Sequence, residues 1–192
     1  MNTSAASDHE LLLSASRQTA RALRRLLEGI LAVVLVAGAI AASVSVHMVA
    51  DNRMAPTLQV EQIVLVSRLP TLVMELRRGD VVLLRTEDGA EHLSRVVALP
   101  GDKVQLDESG IQVNNQPLPA ASLNGTLQLD QPAFSGARIL RANELFVLND
   151  NSADARDSRA FGPVSAAQLV GRAWLVVWPL DSAGLVQHRT PE

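Results

Sequence analysis

The chain has 192 residues and a formal net charge of −3 at pH 7, and hydrophobic residues make up 47% of it against 19% charged residues. This balance excludes wholesale disorder, because the chain has enough apolar residues to form a core. It also argues against nucleic acid as a partner, since a mildly acidic chain offers no general attraction for phosphates. Cysteine is absent, so the chain has no disulfides, and this does not identify its compartment.

A long uncharged stretch dominates the amino-terminal third. Residues 29–50 carry no Asp, Glu, Lys or Arg, and a helix needs about 20 apolar residues to cross a bilayer. Arginines precede the stretch at positions 17, 21, 24 and 25. We therefore predict a transmembrane anchor at 29–50, a basic cytoplasmic tail at 1–28 and an extracytoplasmic remainder. A signal peptide cleaved near Ala39-Ile40-Ala41 and a buried core helix are the alternatives.

After residue 50 the pattern changes to short runs of Val, Leu and Ile between turn residues. These runs predict strands at 63–66, 81–84, 96–99, 145–148 and 173–178, with a hairpin over 104–113. Pro100-Gly101-Asp102 and the stretch 114–117 are typical of turns.

The remaining stretches complete a mainly β prediction. Residues 119–140 are predicted to be a loop, and 164–170 has a weak helical pattern. We expect one antiparallel β sandwich or partly closed barrel over residues 51–180, followed by a tail at 181–192.

Four short segments follow the apolar stretch. They are Arg53-Met54-Ala55-Pro56-Thr57-Leu58, Arg78-Gly79-Asp80-Val81-Val82, the stretch from Ser94 to Asp102, and Asn149-Asp150-Asn151 continuing to Asp157-Ser158-Arg159 and Gly162. In order and spacing they resemble the boxes of bacterial signal peptidase I. Any one of them is weak evidence, but four in order behind an apolar segment are hard to obtain by chance. The resemblance implies a membrane-anchored β domain with a catalytic Ser/Lys dyad.

The resemblance breaks at the chemical centre. The serine nucleophile of the family maps to Arg53, and the lysine base maps to Ser94. A guanidinium stays protonated at neutral pH and has no nucleophilic atom, and a serine hydroxyl is no base. The oxyanion position maps to Asp51, where a carboxylate would repel developing negative charge. Losing a covalent enzyme's nucleophile can cost about a million-fold in turnover.

Two further positions differ from the family, and one rearrangement is conceivable. The serine that supports the lysine maps to Ala155, and the glycine that opens the last box maps to Asn149. Ser94 is an alternative nucleophile with His92 on the same strand face, although Cα atoms two residues apart in a strand are about 6.5 Å apart. We also expect Arg53 to pair with Asp51 or to bond Ser94, because a buried charge needs a partner.

Other positions carry structural or binding roles that the resemblance implies. Asp150, Asp157 and Arg159 are expected to hold the last box against the strand of Ser94. Small side-chain pockets for a bound peptide map to apolar positions, namely Val49, Ala50, Met54, Leu58 and Leu93. The family binds its substrate as an added strand between the segments 49–53 and 91–94. Core packing explains the same apolar residues equally well.

The sequence thus predicts an inactive signal peptidase homologue in the bacterial inner membrane, with no cofactor and no metal. Its expected partners are the membrane and segments of exported or membrane proteins bound as an extended strand. An active peptidase with a rearranged site using Ser94 is one alternative, and a subunit of a larger membrane assembly is another.

Overall fold

The computed structural model describes seven stretches of the chain, which are residues 23–39, 42–68, 75–107, 110–118, 136–151, 153–154 and 156–188. The chain divides into two compact units, with the boundary between Ser43 and Val44. The second unit contains the β structure and every residue proposed for the site.

The amino-terminal unit contains a helix, α1, over residues 23–39. Its large apolar side chains are more than half exposed, as at Leu26 and Val33. The apolar run then changes structure, because Val44–Met48 is a strand that pairs with a neighbouring strand. The predicted anchor at 29–50 is therefore divided between helix and strand. In the described stretches, none of the helices is both long enough and apolar enough to span a bilayer.

The described part of the second unit is made mostly of strands, as predicted. They are β1 Val44–Met48, β2 Ile63–Ser67, β3 Val81–Arg85, β4 Glu91–Ala98, β5 Lys103–Asp107, β6 Gly110–Val113, β7 Gln116–Pro117, β8 Gly136–Ile139, β9 Glu144–Leu148, β10 Val164–Ser165, β11 Leu169–Trp178 and β12 Gly184–Leu185. A short helix, α2, spans Ser158–Phe161, and 3-10 turns occupy Ala166–Gln168 and Leu180–Ser182.

The strands form two antiparallel sheets. The larger has the order β1-β2-β11-β3-β4-β9-β10, with β12 added on β11, and the smaller has the order β7-β6-β5-β8. The prediction of a mainly β, antiparallel unit is confirmed. In the described residues the larger sheet is open, since β1 and β10 are its two ends. The unit also extends beyond the predicted limits of 51–180, because β1 and β12 belong to this sheet.

Two predicted segments have a different structure. Residues 136–139, placed in a loop, form β8 and pair with β5, because backbone pairing does not require the Val and Ile pattern that marks a strand in sequence. Residues 119–135 of that predicted loop lie outside the described residues. The weak helical pattern at 164–170 is a strand, a 3-10 turn and the start of β11, and a capping box between Ser165 and Gln168 stabilises the turn.

The core explains why β3 is apolar at successive positions. Val81 and Leu83 pack into a cluster with residues of β2 and β11, whereas Val82 and Leu84 pack into a second cluster with residues of β9. Side chains alternate between the faces of a strand, so a strand with both faces covered must be apolar throughout. This central strand positions β4, which carries Ser94.

Candidate active site

Arg53 lies in the turn that follows β1. Met54 and Leu58 are buried, with 1% and 0% of their surface exposed, and the Leu58 N–H donates to the Met54 carbonyl at 2.8 Å. At the start of the turn, the Val49 N–H donates to the Gln62 carbonyl at 2.8 Å. Apolar burial and backbone hydrogen bonds therefore fix the position of residue 53.

The Arg53 side chain lies between two carboxylates. Its Nε is 3.0 Å from Asp51 Oδ2 and 3.6 Å from Asp154 Oδ2. The Arg53 backbone N–H also donates to Asp51 Oδ1 at 3.1 Å, so Asp51 and Arg53 pair as predicted. Within the described residues, however, Nε makes no directed hydrogen bond. The two ion pairs of Arg53 therefore rest on the short distances between opposite charges. The permanently charged guanidinium is neither a nucleophile nor a base.

Ser94 lies on β4 and is completely buried. Its Oγ donates to Asn149 Oδ1 at 3.0 Å. The Asn149 amide nitrogen in turn donates to the carbonyls of Asp154 and Arg156, at 3.1 and 3.4 Å. The Ser94 hydroxyl therefore begins a chain of hydrogen bonds that continues through Asn149. Its acceptor is an amide oxygen, which takes no proton at neutral pH.

The loop of residues 149–156 contacts both Arg53 and Ser94. Asn149 bonds Ser94, Asp154 pairs with Arg53, and the Asn151 N–H donates to the Arg53 carbonyl at 2.8 Å. The fold thus brings positions 53 and 94 to one loop, as the resemblance implies. The alternative bond between Arg53 and Ser94 is not among the hydrogen bonds of the described residues.

His92 lies two residues before Ser94 on β4. It is buried, with 7% of its surface exposed. Burial lowers the pKa of its imidazole below the ordinary value, and the positive charge of Arg53 lowers the pKa further. Its Nε2 has no hydrogen-bond partner among the described residues. The Ser94 hydroxyl points its proton at Asn149, so no hydrogen bond from Ser94 to His92 activates it.

Arg95 and Asp150 join β4 to the loop through a buried, bidentate pair. Arg95 Nε donates to Asp150 Oδ1 at 2.7 Å and Nη2 donates to Oδ2 at 2.6 Å. The side chains are 3% and 0% exposed. Arg95 Nη1 also donates to the Gly79 carbonyl at 2.6 Å. This pair joins Asp150 of the loop to β4, the strand of Ser94.

Asp157 and Arg159 order the second half of the same loop. Arg159 donates from Nε and Nη2 to the Asp157 carboxylate at 2.8 and 2.7 Å, and both residues are buried. Asp157 also accepts the Asn149 N–H at 2.9 Å and caps the first turn of α2. These contacts form a buried hydrogen-bond network. Its connection to Asn149 means that it also orients the acceptor of Ser94.

Four of the five apolar positions proposed for peptide binding are core residues. Val49, Met54, Leu58 and Leu93 are at most 4% exposed and belong to one cluster. Ala50 is exposed. Packing of these side chains therefore holds the segments 49–53 and 91–94 together. Because the side chains are buried, the groups that could contact a ligand are mainly those of the backbone.

The first half of β4 has a strand partner on one side. Residues 91–94 pair with β3, whereas the ladder to β9 begins at Arg95. Val96 donates to the Asp80 carbonyl and accepts from the Gly79 N–H, both on the β3 side. Because backbone groups alternate in direction along a strand, those of Glu91 and Leu93 point away from β3. Among the described residues this edge has no strand partner.

Three residues of the site were not assigned these roles from the sequence. Asp154 pairs with Arg53, Asn149 accepts from Ser94, and Arg95 holds Asp150. Arg95 directly follows Ser94 in its box. This place in the sequence is a signal for a role in the site. Asp154 has no such signal, because it lies between box residues in an irregular loop. Ala155 lies outside the described residues, and in the described part no three His, Asp or Glu side chains are grouped to hold a metal ion.

Comparison with known proteins agrees with the four boxes. The model of the family described as "Signal peptidase, peptidase S26" matches residues 23–178. Signal peptidase I of Bacillus caldolyticus is 28% identical over 145 residues, covering 69% of this chain and 79% of the relative. Signal peptidase I of Leptolyngbya laminosa is 27% identical over 172 residues, covering 83% of both chains. Signal peptidase IB of Staphylococcus aureus is 29% identical over 152 residues, covering 72% of this chain and 80% of the relative.

A solved signal peptidase I from Enterococcus faecalis aligns with 51% of this chain and 96% of its own chain, with 23% identity and a TM-score of 0.41, which is too low to support a conclusion. The family model alone spans most of the chain, including α1, Arg53, Ser94 and the loop that contacts both. On this evidence the chain belongs to the signal peptidase family, peptidase S26.

Proposed function

We propose that this chain is a signal peptidase homologue that binds extended protein segments without cutting them. The partner of Ser94 carries the proposal: a fully buried hydroxyl donates to Asn149 Oδ1 at 3.0 Å. Covalent catalysis needs a nucleophile whose proton is taken by a base, and an amide oxygen is not one. Arg53, held beside Asp51 and Asp154, supplies no nucleophile in its place.

The rearranged peptidase has less support. It requires Ser94 to be a nucleophile and His92 to be its base, within hydrogen-bond reach. The described hydrogen bonds of Ser94 lead to Asn149 instead. His92 also has a lowered pKa because of burial and of Arg53, which weakens it as a proton acceptor.

The unpaired edge of β4 supports binding of an extended segment. Strand addition to such an edge uses main-chain hydrogen bonds for affinity, and these need no dyad. The Leu93 side chain holds this edge in place, because it belongs to the same buried cluster as Val49 and Met54. The proposed ligands are segments of exported or membrane proteins in an extended conformation.

Attachment to the bacterial inner membrane, with the β unit on the extracytoplasmic side, is part of the proposal. The exposed apolar side chains of α1 support it, since a protein in water rarely exposes so much contiguous apolar surface. The charge-free run at 29–50 supports it as well.

A binding and cleavage assay tests the central claim. The full chain in a nonionic detergent would be mixed with a fluorescent peptide carrying an Ala-x-Ala cleavage site. We expect a rise in fluorescence anisotropy and no product by mass spectrometry. Cleavage by the unmodified chain that disappears in Ser94→Ala would overturn the proposal and establish the rearranged peptidase.

N-methylated peptides test strand addition without altering the protein. Two versions of the peptide would carry N-methyl groups at alternate residues, in opposite phases. Only one phase removes the N–H groups that face β4, so we expect one version to lose affinity and the other to keep it. Equal affinity of the two versions would contradict main-chain pairing.

Rebuilding the dyad tests how much of the chemistry has been lost. Arg53→Ser combined with Ser94→Lys restores the family's residue types. We expect weak cleavage at best, because Asp51 still places a carboxylate at the oxyanion position and Asn149 still occupies a glycine position. Adding Asp51→Ser should increase the rate. Full recovery in the double variant would show that Asp51 and Asn149 have little effect.

A further inference from the structure

A pocket elsewhere on the β unit is lined by neither Arg53 nor Ser94. It has a volume of about 280 Å³ and is formed by the loop before β3, the middle of β11 and the segment after β12. Its polar lining residues are Arg77, Asp80, Arg172, Gln187 and His188, and its apolar lining includes Trp174 and Leu185.

The charges of this pocket favour an anion. Arg77 and Arg172 contribute two positive charges and Asp80 one negative charge, so the lining has a net charge of +1 with His188 neutral. Asp80 is 7% exposed, and its Oδ2 already accepts the Arg77 backbone N–H at 2.8 Å. Its Oδ1 is 3.5 Å from Arg172 Nη1 and 3.3 Å from His188 Nδ1. The carboxylate is thus largely matched by its own neighbours.

The two guanidinium groups retain donors for a ligand. The Arg172 side chain lies 3.5 Å from Asp80, makes no hydrogen bond to the side chains or backbone of the described residues, and is 31% exposed. The exposed Arg77 side chain makes no ion pair in the described part of the chain. By contrast, Arg95 donates hydrogen bonds to Asp150 and to backbone carbonyls. A guanidinium has five N–H donors, so both pocket arginines have unused ones.

The wall formed by the carboxyl-terminal segment is held in place. Arg95 Nη1 donates to the Gln187 carbonyl at 2.9 Å, and the Val186 N–H donates to the Trp174 carbonyl at 3.0 Å. The pocket is therefore formed before any ligand binds, which lowers the ordering cost of binding.

We propose that this pocket binds one oxyanion group, a phosphate or a carboxylate, on a molecule whose apolar part lies against Trp174 and Leu185. The planar fork of a guanidinium matches an oxyanion in two-point hydrogen bonding. Trp174 and Leu185 are 37% and 75% exposed, so they provide an apolar surface beside the charged one. An anionic phospholipid and a soluble anion are the two sources of such a group.

Intrinsic fluorescence measures this binding, because the chain has only two tryptophans and one, Trp174, lines the pocket. The full chain in a nonionic detergent would be titrated with short-chain phosphatidylglycerol, with short-chain phosphatidylcholine and with inorganic phosphate. We expect saturable binding of phosphatidylglycerol and much weaker binding of the zwitterionic lipid. Saturation by inorganic phosphate as well would indicate a soluble anion, and its absence a lipid headgroup.

Variants assign the binding to the pocket. Arg172→Gln should weaken phosphatidylglycerol binding about tenfold or more, as expected for the loss of a charge-assisted hydrogen bond. Arg172→Lys keeps the charge and loses the fork, so its affinity should be intermediate, and it serves as the variant if Arg172→Gln misfolds. The control is Arg141→Gln, at an arginine whose side chain is 79% exposed and outside the pocket. Equal affinities in Arg172→Gln and Arg141→Gln, or no difference between the two lipids, would overturn the proposal.

Discussion

Two arginines distant in sequence, Arg95 and Arg53, pair with aspartates of the loop of residues 149–156, and the two arrangements differ in construction. Arg95 and Asp150 make two hydrogen bonds of 2.7 and 2.6 Å and are almost completely buried. Arg53 instead has one nitrogen near two partly exposed carboxylates, at 3.0 and 3.6 Å, with no directed bond from that nitrogen. Buried charges require directed partners, whereas partly exposed charges are stabilised by water as well.

The comparison separates the residues that hold the fold from those that fill the catalytic position. The buried pair joins β4 to the loop and includes neither position 53 nor position 94.

Removing one partner of the buried pair should have the largest effect. Asp150→Ala leaves the Arg95 guanidinium buried without its counter-charge, which typically costs about 3–5 kcal/mol of unfolding free energy. Urea unfolding followed by tryptophan fluorescence measures the loss. The matched control is Asp51→Ala, at the other arginine, and equal losses in the two variants would show that the two arrangements do not differ in energy.

Ser94→Ala should have an intermediate effect. It leaves the buried Asn149 Oδ1 without its donor, which costs about 1–3 kcal/mol for an unsatisfied buried acceptor. The same unfolding measurement applies, with Ser67→Ala on β2 as the control, since the Ser67 hydroxyl makes no hydrogen bond among those of the described residues. A more stable Ser94→Ala protein would mean that the hydroxyl contributes nothing to the fold.

Asp51→Ala should have a small effect that depends on salt. Ion pairs that are partly exposed contribute about 0.2–1 kcal/mol, and Arg53 keeps Asp154 as a neighbour. Raising the NaCl concentration from about 0.1 to about 1 M shortens the screening length from about 10 to about 3 Å, so the difference from the parent chain should shrink. The cost of Asp150→Ala should stay nearly constant, and the opposite pattern would reverse the comparison.

The pKa of His92 gives the smallest and most local test. Burial and then Arg53 lower this pKa below 6.5, so Arg53→Gln should raise it towards 6.5 in an NMR titration of the imidazole. An unchanged value would place the Arg53 charge too far from His92 to affect it.

The same shift has a consequence for stability. Between the lowered pKa of the folded state and about 6.5, the unfolded chain binds a proton at His92 that the folded chain does not. Stability should therefore fall as pH falls through this window and level off below the folded pKa. His92→Asn should remove that part of the pH dependence, leaving the part due to His47, whose pKa burial also lowers.

The sequence by itself determined the β class and the residue types at the two positions that match the family's dyad. Short apolar runs between turn residues mark strands such as β2, β3 and β9 because side-chain burial alternates or continues along each strand. The residue types need no structure, since a guanidinium at position 53 and a hydroxyl at position 94 are read directly from the boxes, and neither is a base at neutral pH.

Only the tertiary structure decided the partners. Asn149 accepts from Ser94 and Asp154 approaches Arg53 because a loop distant in sequence is fixed beside β4 by Asp150 and Arg95. The sequence also did not predict the strand that begins at Val44 or the pairing of β8. Backbone hydrogen bonds to a distant strand leave no periodic pattern of side chains in the sequence. Local propensity describes neighbours along the chain, while ladder pairing and ion pairs depend on contacts that exist only after folding.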